Sequence, residues 1–366
     1  MVTVVNTELL VDADVHPLIN DTSILAKKMS VRARRRVFSG NVGKFARDPN
    51  RIPHPSNGLR LDAFPPRGGQ PGSDPAFALE QWIDPHGISA AVLIPVQAGV
   101  VIPWGDERVA EEFISAFNDH LLEEWYGLDQ RFRVTISISP HDPSAAIREV
   151  ERLADVPGVV AIFIPPANIA LGRRQYFPLY ELAQEKGLPI VVHPTGAEAN
   201  LHAATWVAGG LPRTYPERHS LLYQPGQGML ASMIFGGVFD AFPRLKFVLS
   251  EYGFSWSLPL GLRMDEAWRR GEKELAGIER APSEYISRNV RFTTQPIDEP
   301  GDRRDLWAVI DAMDVSTLLF SSDYPHWDTD DPTVALRTML PARVRDQVAW
   351  RNAVDCFGGR LGLCLQ

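Results

Sequence analysis

The spacing of short apolar runs is the feature that most limits how this 366-residue chain can fold. Eight such runs occur, at 8–14, 89–94, 133–139, 158–164, 188–193, 245–250, 289–294 and 317–322. Between most of them lie stretches with apolar residues at helical spacing, such as 107–125 and 143–153. Strands that alternate with helices pair in parallel. We therefore predict an α/β fold, a (β/α)8 TIM barrel with inserted loops after strands 1 and 5.

An open, doubly wound sheet is the main alternative to a closed barrel. Its Gly-x-Gly-x-x-Gly turn is absent after the first apolar run. The candidate functional residues follow strands 1, 5, 6 and 8, and closing the sheet brings strand 8 next to strand 1. The sequence pattern therefore favours the barrel.

Four of the runs end in side chains that can bind a metal or carry a proton. The first continues into Asp14 and His16, the fifth ends at His193, the sixth at Glu251 and the eighth at Asp323. In a (β/α)8 barrel the carboxyl ends of the strands meet at one rim, where active sites lie. We therefore predict one site built from these residues, in a single domain that spans residues 1–366.

A set of two histidines and two carboxylates is the candidate metal-binding group. Asp14 and His16 are two residues apart, so alternation along a strand points them, together with Asp12, to one side. His193 and Asp323 would complete the set. Nitrogen and oxygen donors of this kind suit one Zn²⁺ ion, and would also suit Mn²⁺ or Fe²⁺.

Most of these residues also have a simpler explanation. Asp12 can cap a turn or pair with an arginine, and we favour such a role for it. His193 can be a hydrogen-bonded core histidine, and Asp323 can cap a helix that follows strand 8. Glu251 has no comparable structural role, because an unpaired buried carboxylate is costly. Taken together, the four strand ends favour a functional site.

Composition and charge exclude several classes of protein. The net charge of −8 disfavours general binding to nucleic acid. No apolar run reaches the roughly 20 residues needed to span a bilayer, and residues 1–6 do not resemble a signal peptide, so we expect a cytoplasmic protein without membrane contact. The two cysteines, Cys356 and Cys364, are expected to pack in a terminal helix rather than form a disulfide scaffold or zinc cluster.

Two long segments interrupt the alternation of strands and helices. Residues 17–75 contain a basic part at 27–51, which we expect to cover the barrel mouth or to pack on another subunit of a homodimer. Binding of nucleic acid or phosphate is the alternative for this part. Residues 197–224 follow strand 5 and carry Trp206, Arg213 and Tyr215. Since loops after barrel strands form the rim of the active site, we predict a substrate lid there.

Motifs at the strand ends resemble those of a known family. They are Asp12-x-Asp14-x-His16, Val192-His193-Pro194, Ser250-Glu251-Tyr252-Gly253 and Phe320-Ser321-Ser322-Asp323-Tyr324-Pro325-His326. These motifs are similar to the amidohydrolase-related branch of the amidohydrolase superfamily, which includes aminocarboxymuconate-semialdehyde decarboxylase, resorcylate-type decarboxylases, and ring-cleavage-pathway hydrolases and hydratases. The resemblance covers essentially the whole chain from strand 1 and implies a metal-centred (β/α)8 barrel.

The chain departs from that family at two positions. Members usually begin with His-x-His or, in some decarboxylases, Glu-x-His, whereas this chain has Asp14 before His16. Many of the decarboxylases have a histidine at the end of strand 6, where this chain has Glu251. A carboxylate at both places lowers the positive charge of the site, which weakens the case for the decarboxylase mechanism.

The leading functional prediction is a metal-dependent hydrolase of a small organic substrate from a cyclic or aromatic pathway. The metal would activate a water molecule, and Asp323 would accept its proton, with Glu251 and His193 as further catalytic residues. The expected substrate-binding residues are His326, Arg263, Trp206, Arg213, Tyr215 and Trp327. A non-oxidative decarboxylase of a small carboxylic acid is the first alternative, and a barrel that binds a ligand without catalysis is the second.

Overall fold

A computed structural model describes residues 9–38, 58–195, 212–271, 275 and 277–363. Its eight strands form one parallel sheet in which each strand pairs with the next along the chain. The strands are β1 Val11–Val15, β2 Ala90–Leu93, β3 Phe132–Ser137, β4 Val159–Phe163, β5 Ile190–Val192, β6 Phe247–Leu249, β7 Val290–Thr293 and β8 Leu318–Leu319.

The sheet closes because the segment after β8 pairs with β1. The backbone N–H of Ala13 donates to the carbonyl of Phe320 at 2.9 Å, and that of His16 donates to Tyr324 at 2.8 Å. Val15 and Tyr324 form a parallel bridge. The predicted (β/α)8 barrel is confirmed, and its closure places the ends of β1 and β8 side by side.

Helices surround the sheet and connect its strands. They are α1 Val31–Phe38, α2 Pro75–Ala78, α3 Glu107–Leu121, α4 Pro143–Leu153, α5 Phe177–Lys186, α6 Tyr215–His219, α7 Tyr223–Phe235, α8 Val238–Ala241, α9 Ser257–Arg270, α10 Pro282–Asn289, α11 Arg303–Ala312 and α12 Asn352–Phe357. Aspartates cap several of them. Asp106 accepts from the N–H of Val109 at the start of α3, and Asp142 accepts from the N–H groups of Ser144 and Ala145 at the start of α4. None of the described helices is both long and apolar enough to cross a membrane.

The core has an inner and an outer layer. Small and β-branched side chains such as Val11, Ala13 and Val92 fill the barrel, and α12 closes its amino-terminal end with Phe357 and Cys356. The outer layer lies between the strands and the surrounding helices. Cys356 is therefore a buried packing residue, whereas Cys364 lies outside the described residues.

The segment after β1 packs against the barrel through charge pairs. Lys28 pairs with Glu123, and Arg32 and Arg36 approach Asp106 at the start of α3. Beyond the undescribed residues 39–57, the chain returns at Gly58, whose carbonyl accepts a hydrogen bond from the N–H of Trp327 at 3.1 Å. This insertion therefore reaches the carboxyl end of β8, where the mouth of the barrel lies.

A β-bulge in β1 changes which side chains face the barrel interior. Residues 13–14 together lie opposite a single position of β2, between the pairs Asp12–Ala91 and Val15–Leu93. One extra residue reverses the alternation of a strand. The expectation that Asp12 shares a side with Asp14 and His16 is therefore wrong.

Asp12 instead links β1 to the segment after β8 on the outer side of the barrel. Its carboxylate accepts from the N–H of Ser322 at 2.9 Å, from the hydroxyl of Ser322 at 2.5 Å and from the indole of Trp82 at 3.2 Å. Burial raises the pKa of Asp12 to about 6, although these hydrogen bonds oppose the rise. Asp12 therefore has a structural role, but these contacts join two segments of the barrel rather than cap a turn or pair with an arginine.

We predict that Asp12→Ala lowers the free energy of unfolding by about 3 kcal/mol, because four buried donors, the three above and the N–H of Asp14 at 3.3 Å, lose their acceptor. Urea unfolding followed by circular dichroism measures the change. Asp305→Ala on the exposed face of α11 is the control and should stay within about 0.5 kcal/mol of wild type. A loss below about 1 kcal/mol for Asp12→Ala would show that Asp12 does not hold β1 and β8 together.

Candidate metal centre

Four side chains from three strand ends converge at the mouth of the barrel. Asp14 and His16 come from β1 and its end, His193 directly follows β5, and Asp323 follows β8. All four are buried, and one ligand atom from each lies within 4.8 Å of the others. The structure therefore brings together the whole predicted ligand set.

The distances between these ligand atoms are short. The Nε2 of His16 lies 2.6 Å from Oδ1 of Asp323 and 3.3 Å from Oδ1 of Asp14. The Nε2 of His193 lies 3.1 Å from Oδ2 of Asp14 and 4.0 Å from Oδ1 of Asp323. Both imidazoles thus point their Nε2 atoms at carboxylates.

The other nitrogen of each ring determines what can lie between these atoms. The Nδ1 of His16 is 2.8 Å from the carbonyl of Ile94, and that of His193 is 2.5 Å from the carbonyl of Pro194. A carbonyl accepts only, so each Nδ1 is the protonated donor, and in a neutral ring the Nε2 lone pair is then left to bind a cation. This is the arrangement that histidine ligands of metals adopt.

Three buried polar atoms of the cluster make no hydrogen bond with the described residues: Oδ1 of Asp14, Nε2 of His193 and Oδ2 of Asp323. Buried polar atoms normally have a partner, and bound ions are one reason for exceptions. Nitrogen and oxygen donors suit a divalent ion of the first transition row. The cluster therefore fits a divalent metal, and it is not explained by a core histidine at 193 or a helix cap at 323.

Asp14 remains a carboxylate although it is buried. Burial alone would raise its pKa, but the nearby His193 and His16 and a hydrogen bond from the hydroxyl of Ser250 at 2.6 Å lower it to about 2. A charged, oriented carboxylate is the form that binds metal. Asp14 is thus in the form that could serve as a metal ligand.

Glu251 and Asp323 have a strained backbone in common. Their φ angles are 59° and 64°, and they are the only described residues other than glycine with positive φ. The left-handed region costs such residues about 1 kcal/mol or more, and these conformations cluster at functional sites. The hydroxyl of Thr293 on β7 helps to hold Glu251 by accepting its N–H at 2.9 Å.

The carboxyl group of Glu251 lies beside the four-residue cluster. Its Oε2 is 3.2 Å from Nε2 of His193, and the residue is 9% exposed. Burial, followed by the negative charges of Asp323, Asp328 and Asp14, raises its pKa well above the usual range, while Arg218 acts in the opposite direction. Glu251 is therefore suited to hold a proton near neutral pH.

Three of the residues expected to bind substrate lie at the mouth of the barrel. His326 donates or accepts through Nδ1 at 2.7 Å from Asp323, and the indole of Trp327 donates to the hydroxyl of Tyr215 at 2.7 Å. His219 packs on both aromatic rings and lies 2.9 Å from Asp328. His326, Tyr215 and Trp327 therefore line the mouth next to the metal cluster.

Arg263 and Arg213 lie in solvent, away from the cluster. Arg263 is on the exposed face of α9, with 78% of its side chain accessible, and it pairs with Glu266 on the same helix. Arg213 is also exposed and precedes α6. Substrate contact by these two arginines stays a prediction of the sequence. Trp206 falls outside the described residues.

Sequence reasoning did not assign roles to two charged residues near the mouth. Arg218 is 7% exposed, and it is the buried residue of α6. Asp328 lies five positions beyond Asp323 and contacts His219. The acidic stretch from Asp328 to Asp331 is the sequence feature that could have pointed to Asp328. No feature of the sequence distinguishes the buried Arg218 from the exposed arginines near it.

Comparison with known proteins agrees with this geometry. The model of the amidohydrolase family matches residues 11–359, which covers nearly the whole chain. This chain belongs to the amidohydrolase family. The family resemblance expected from the strand-end motifs is confirmed.

Several amidohydrolase relatives are decarboxylases. A gamma-resorcylate decarboxylase from Polaromonas sp. is 24% identical over 299 residues, covering 75% of this chain and 85% of the relative. A dihydroxybenzoic acid decarboxylase from Polaromonas sp. JS666, solved with manganese and the inhibitor 2-nitroresorcinol, has a TM-score of 0.63 at 20% identity and covers 96% of this chain and 97% of its own. An amidohydrolase from Mycobacterium avium subsp. paratuberculosis has a TM-score of 0.73 at 21% identity and covers 98% of both chains.

The leading prediction of a hydrolase is corrected by these comparisons. The curated relatives in the amidohydrolase family that match this chain include decarboxylases from Polaromonas sp. and Rhizobium radiobacter. Both reactions use the same strand-end ligands, and the carboxylates at positions 14 and 251 lower the positive charge of the site without excluding decarboxylation. The proton-accepting role of Asp323 belonged to the hydrolase mechanism and is not retained.

We predict that His16→Ala and His193→Ala each abolish retention of the metal while the protein stays folded, since each change removes one of the four donors of the cluster. Metal content is measured by elemental analysis of protein purified without chelator or metal-binding tag. His120→Ala on α3 is the matched control and should bind metal like wild type. Full occupancy in either cluster variant would refute the ligand assignment.

Proposed function

We propose that this protein is a metal-dependent, non-oxidative decarboxylase of a small aromatic carboxylic acid. The observation that carries the proposal is Glu251, a buried acid with a raised pKa, 3.2 Å from the ligand nitrogen of His193. Decarboxylation needs a proton donor at this position, next to the group that binds the carboxylate. The names of the relatives support the same reaction.

The reaction replaces a carboxylate with a proton. The bond between the carboxylate carbon and the rest of the substrate breaks, carbon dioxide leaves, and the electron pair stays on the substrate carbon. That carbon then takes a proton, so each turnover consumes one. A group that is protonated before the bond breaks, and is shielded from bulk water, meets this need.

Asp14, His16, His193 and Asp323 would hold the metal. A divalent ion bound there supplies a Lewis acid that fixes an anionic substrate and stabilises the negative charge that develops in the reaction. The donor set accepts Mn²⁺, Zn²⁺ or Fe²⁺. We rank Mn²⁺ first, since the solved decarboxylase from Polaromonas sp. JS666 contains manganese.

Glu251 would deliver the proton. Its carboxyl group is buried among other acidic residues, so it keeps its proton to higher pH than an exposed glutamate. Its backbone is held by Thr293, which fixes where the carboxyl group points. When the carbon–carbon bond breaks, this proton passes to the substrate carbon, and solvent then restores it.

Tyr215, Trp327 and His219 would bind the ring of the substrate. Trp327 and Tyr215 pack edge to face with centroids 5.6 Å apart, and 42% of Trp327 is exposed although it lies at the mouth. Aromatic side chains with free surface favour an aromatic ligand. The hydroxylated benzoic acids named for the relatives are of the right class and size.

Oligomeric state and location remain predictions of the sequence. One is a homodimer, in which the basic segment 27–51 would either cover the barrel mouth or pack on the other subunit. The other is a cytoplasmic location. Gel filtration with light scattering tests the first, and fractionation of cells tests the second.

We predict that the manganese-loaded protein releases carbon dioxide from at least one member of a panel of hydroxylated benzoic acids, and that Glu251→Gln lowers turnover by about 10²- to 10⁴-fold. Wild-type turnover should fall as pH rises through the raised pKa of Glu251, because the required form is protonated. Carbon dioxide release and the mass of the product are measured together. Glu266→Gln on the exposed face of α9 is the control.

Two results would contradict the proposed function. Net addition of water to the substrate, or no carbon dioxide from any acid of the panel, would exclude the decarboxylase. Unchanged turnover in Glu251→Gln with normal metal content would remove Glu251 from the mechanism and leave the identity of the proton donor to be assigned again.

A further inference from the structure

Ser250, the residue after β6, is bonded across the barrel mouth to a candidate metal ligand on β1. Its hydroxyl donates to Oδ2 of Asp14 at 2.6 Å. Both residues are buried, with 0% of Ser250 and 1% of Asp14 exposed. The strands β6 and β1 are not neighbours in the sheet, since β7 and β8 lie between them. The hydrogen bond therefore crosses the interior of the barrel instead of joining two paired strands.

This hydrogen bond makes the two carboxylate oxygens of Asp14 different. Oδ2 accepts from Ser250 and lies 3.1 Å from Nε2 of His193. Oδ1 makes no hydrogen bond with the described residues and lies 3.3 Å from Nε2 of His16. The terminal torsion of an aspartate has broad minima, so its carboxylate turns easily unless a partner holds it. Ser250 thus fixes the plane of the carboxylate and leaves Oδ1 unbonded.

Other contacts hold the main chain of Asp14 but not its side chain. Its carbonyl accepts the N–H of Asp323 at 3.0 Å, and its N–H donates to the carboxylate of Asp12 at 3.3 Å. Neither bond restricts rotation of the carboxylate. Among the described residues, the hydroxyl that donates to this carboxylate is that of Ser250. The orientation of the ligand therefore depends on one buried hydroxyl.

The hydroxyl of Ser250 is itself held in place. The N–H of Ser250 donates to the carbonyl of Val192 at 2.9 Å, and its Oγ lies 3.3 Å from Oγ1 of Thr293. Thr293 also accepts the N–H of Glu251 at 2.9 Å. A serine hydroxyl has a single proton to donate, and the shorter bond directs it to Asp14. A fixed donor of this kind is what orients a metal ligand.

We propose that Ser250 is a positioning residue for the metal: its hydroxyl holds Asp14 in the orientation that binds a divalent ion and so raises the affinity of the cluster. This inference rests on the metal centre of the proposed function, and it does not depend on which reaction the metal serves. Ser250 takes no part in breaking the carbon–carbon bond. A hydroxyl with only a structural role would contribute to stability without changing metal affinity.

Titration of chelator-treated protein with Mn²⁺ tests this without turnover. Electron paramagnetic resonance of the free ion gives the dissociation constant. Ser250→Ala should raise that constant about 10- to 100-fold, the usual cost of losing a partner of a metal ligand. Ser250→Thr keeps the hydroxyl and should retain most of the affinity.

Ser250→Cys is a second variant for the case in which Ser250→Ala does not fold. Cysteine is close to serine in size, but its thiol is a weak donor. Because thiols are poor ligands for Mn²⁺, the sulfur should not replace a lost ligand. Ser250→Cys should therefore lose Mn²⁺ affinity in the same direction as Ser250→Ala.

Ser321→Ala is the matched control. Ser321 is buried after β8, and its hydroxyl accepts the N–H of Gln295 at 3.0 Å. Its loss should lower the thermal midpoint of metal-free protein about as much as Ser250→Ala does, whereas Mn²⁺ affinity should stay near wild type. In the Asp14→Ala background, Ser250→Ala should have little further effect on affinity, since two residues that act through one contact are not additive.

Wild-type Mn²⁺ affinity in Ser250→Ala would overturn this inference, as would an equal loss in Ser321→Ala or an undiminished loss in the Asp14→Ala background. Failure of the decarboxylase proposal gives a different result. Mn²⁺ affinity that depends on Ser250, in a protein that releases no carbon dioxide, would support the positioning role and refute the reaction. Carbon dioxide release by a protein whose Mn²⁺ affinity does not depend on Ser250 would do the reverse.

Discussion

The pairing of β1 with the segment after β8 is the contact on which the site depends. The N–H of Asp323 donates to the carbonyl of Asp14 at 3.0 Å, so the two metal-binding carboxylates belong to hydrogen-bonded neighbours. On the outer side, Asp12 ties the same two segments together through Ser322. The same contacts close the barrel and bring the candidate ligands together. Loss of the pairing between β1 and the segment after β8 would therefore separate Asp14 and His16 from Asp323.

Excess negative charge is the second constraint. Asp14, Asp323, Glu251 and Asp328 lie close together, and burial makes each charge expensive. The cluster offsets this in different ways at different positions: the pKa of Asp14 is lowered between two histidines, that of Glu251 is raised well above its usual range, and Asp328 pairs with His219. A divalent cation held by the cluster would complete the balance of charge.

The fold and the ligand set could be predicted from the sequence because both depend on local patterns. Each strand is a short apolar run, and His193 and Asp323 directly follow such runs. The direction of Asp12 could not be predicted, since one extra residue in β1 reverses the alternation and a bulge leaves no clear mark in the sequence. The burial of Arg218 and the exposure of Arg263 depend on how α6 and α9 pack, which involves residues far apart in the chain.

The choice between hydrolysis and decarboxylation lay beyond the sequence for a chemical reason. Both reactions need a metal held by the same strand-end residues, and they differ in whether the neighbouring acid group gives a proton to carbon or takes one from water. The relatives favour decarboxylation, and the raised pKa of the buried Glu251 is consistent with it.

Titration of metal-free protein with Mn²⁺, with bound metal and carbon dioxide release measured on the same samples, tests the central claim most directly. The account predicts that release rises in proportion to occupancy of a single tight site per chain and is lost on adding chelator. Carbon dioxide release by metal-free protein, or full occupancy of the buried cluster without any release across the acid panel, would contradict it.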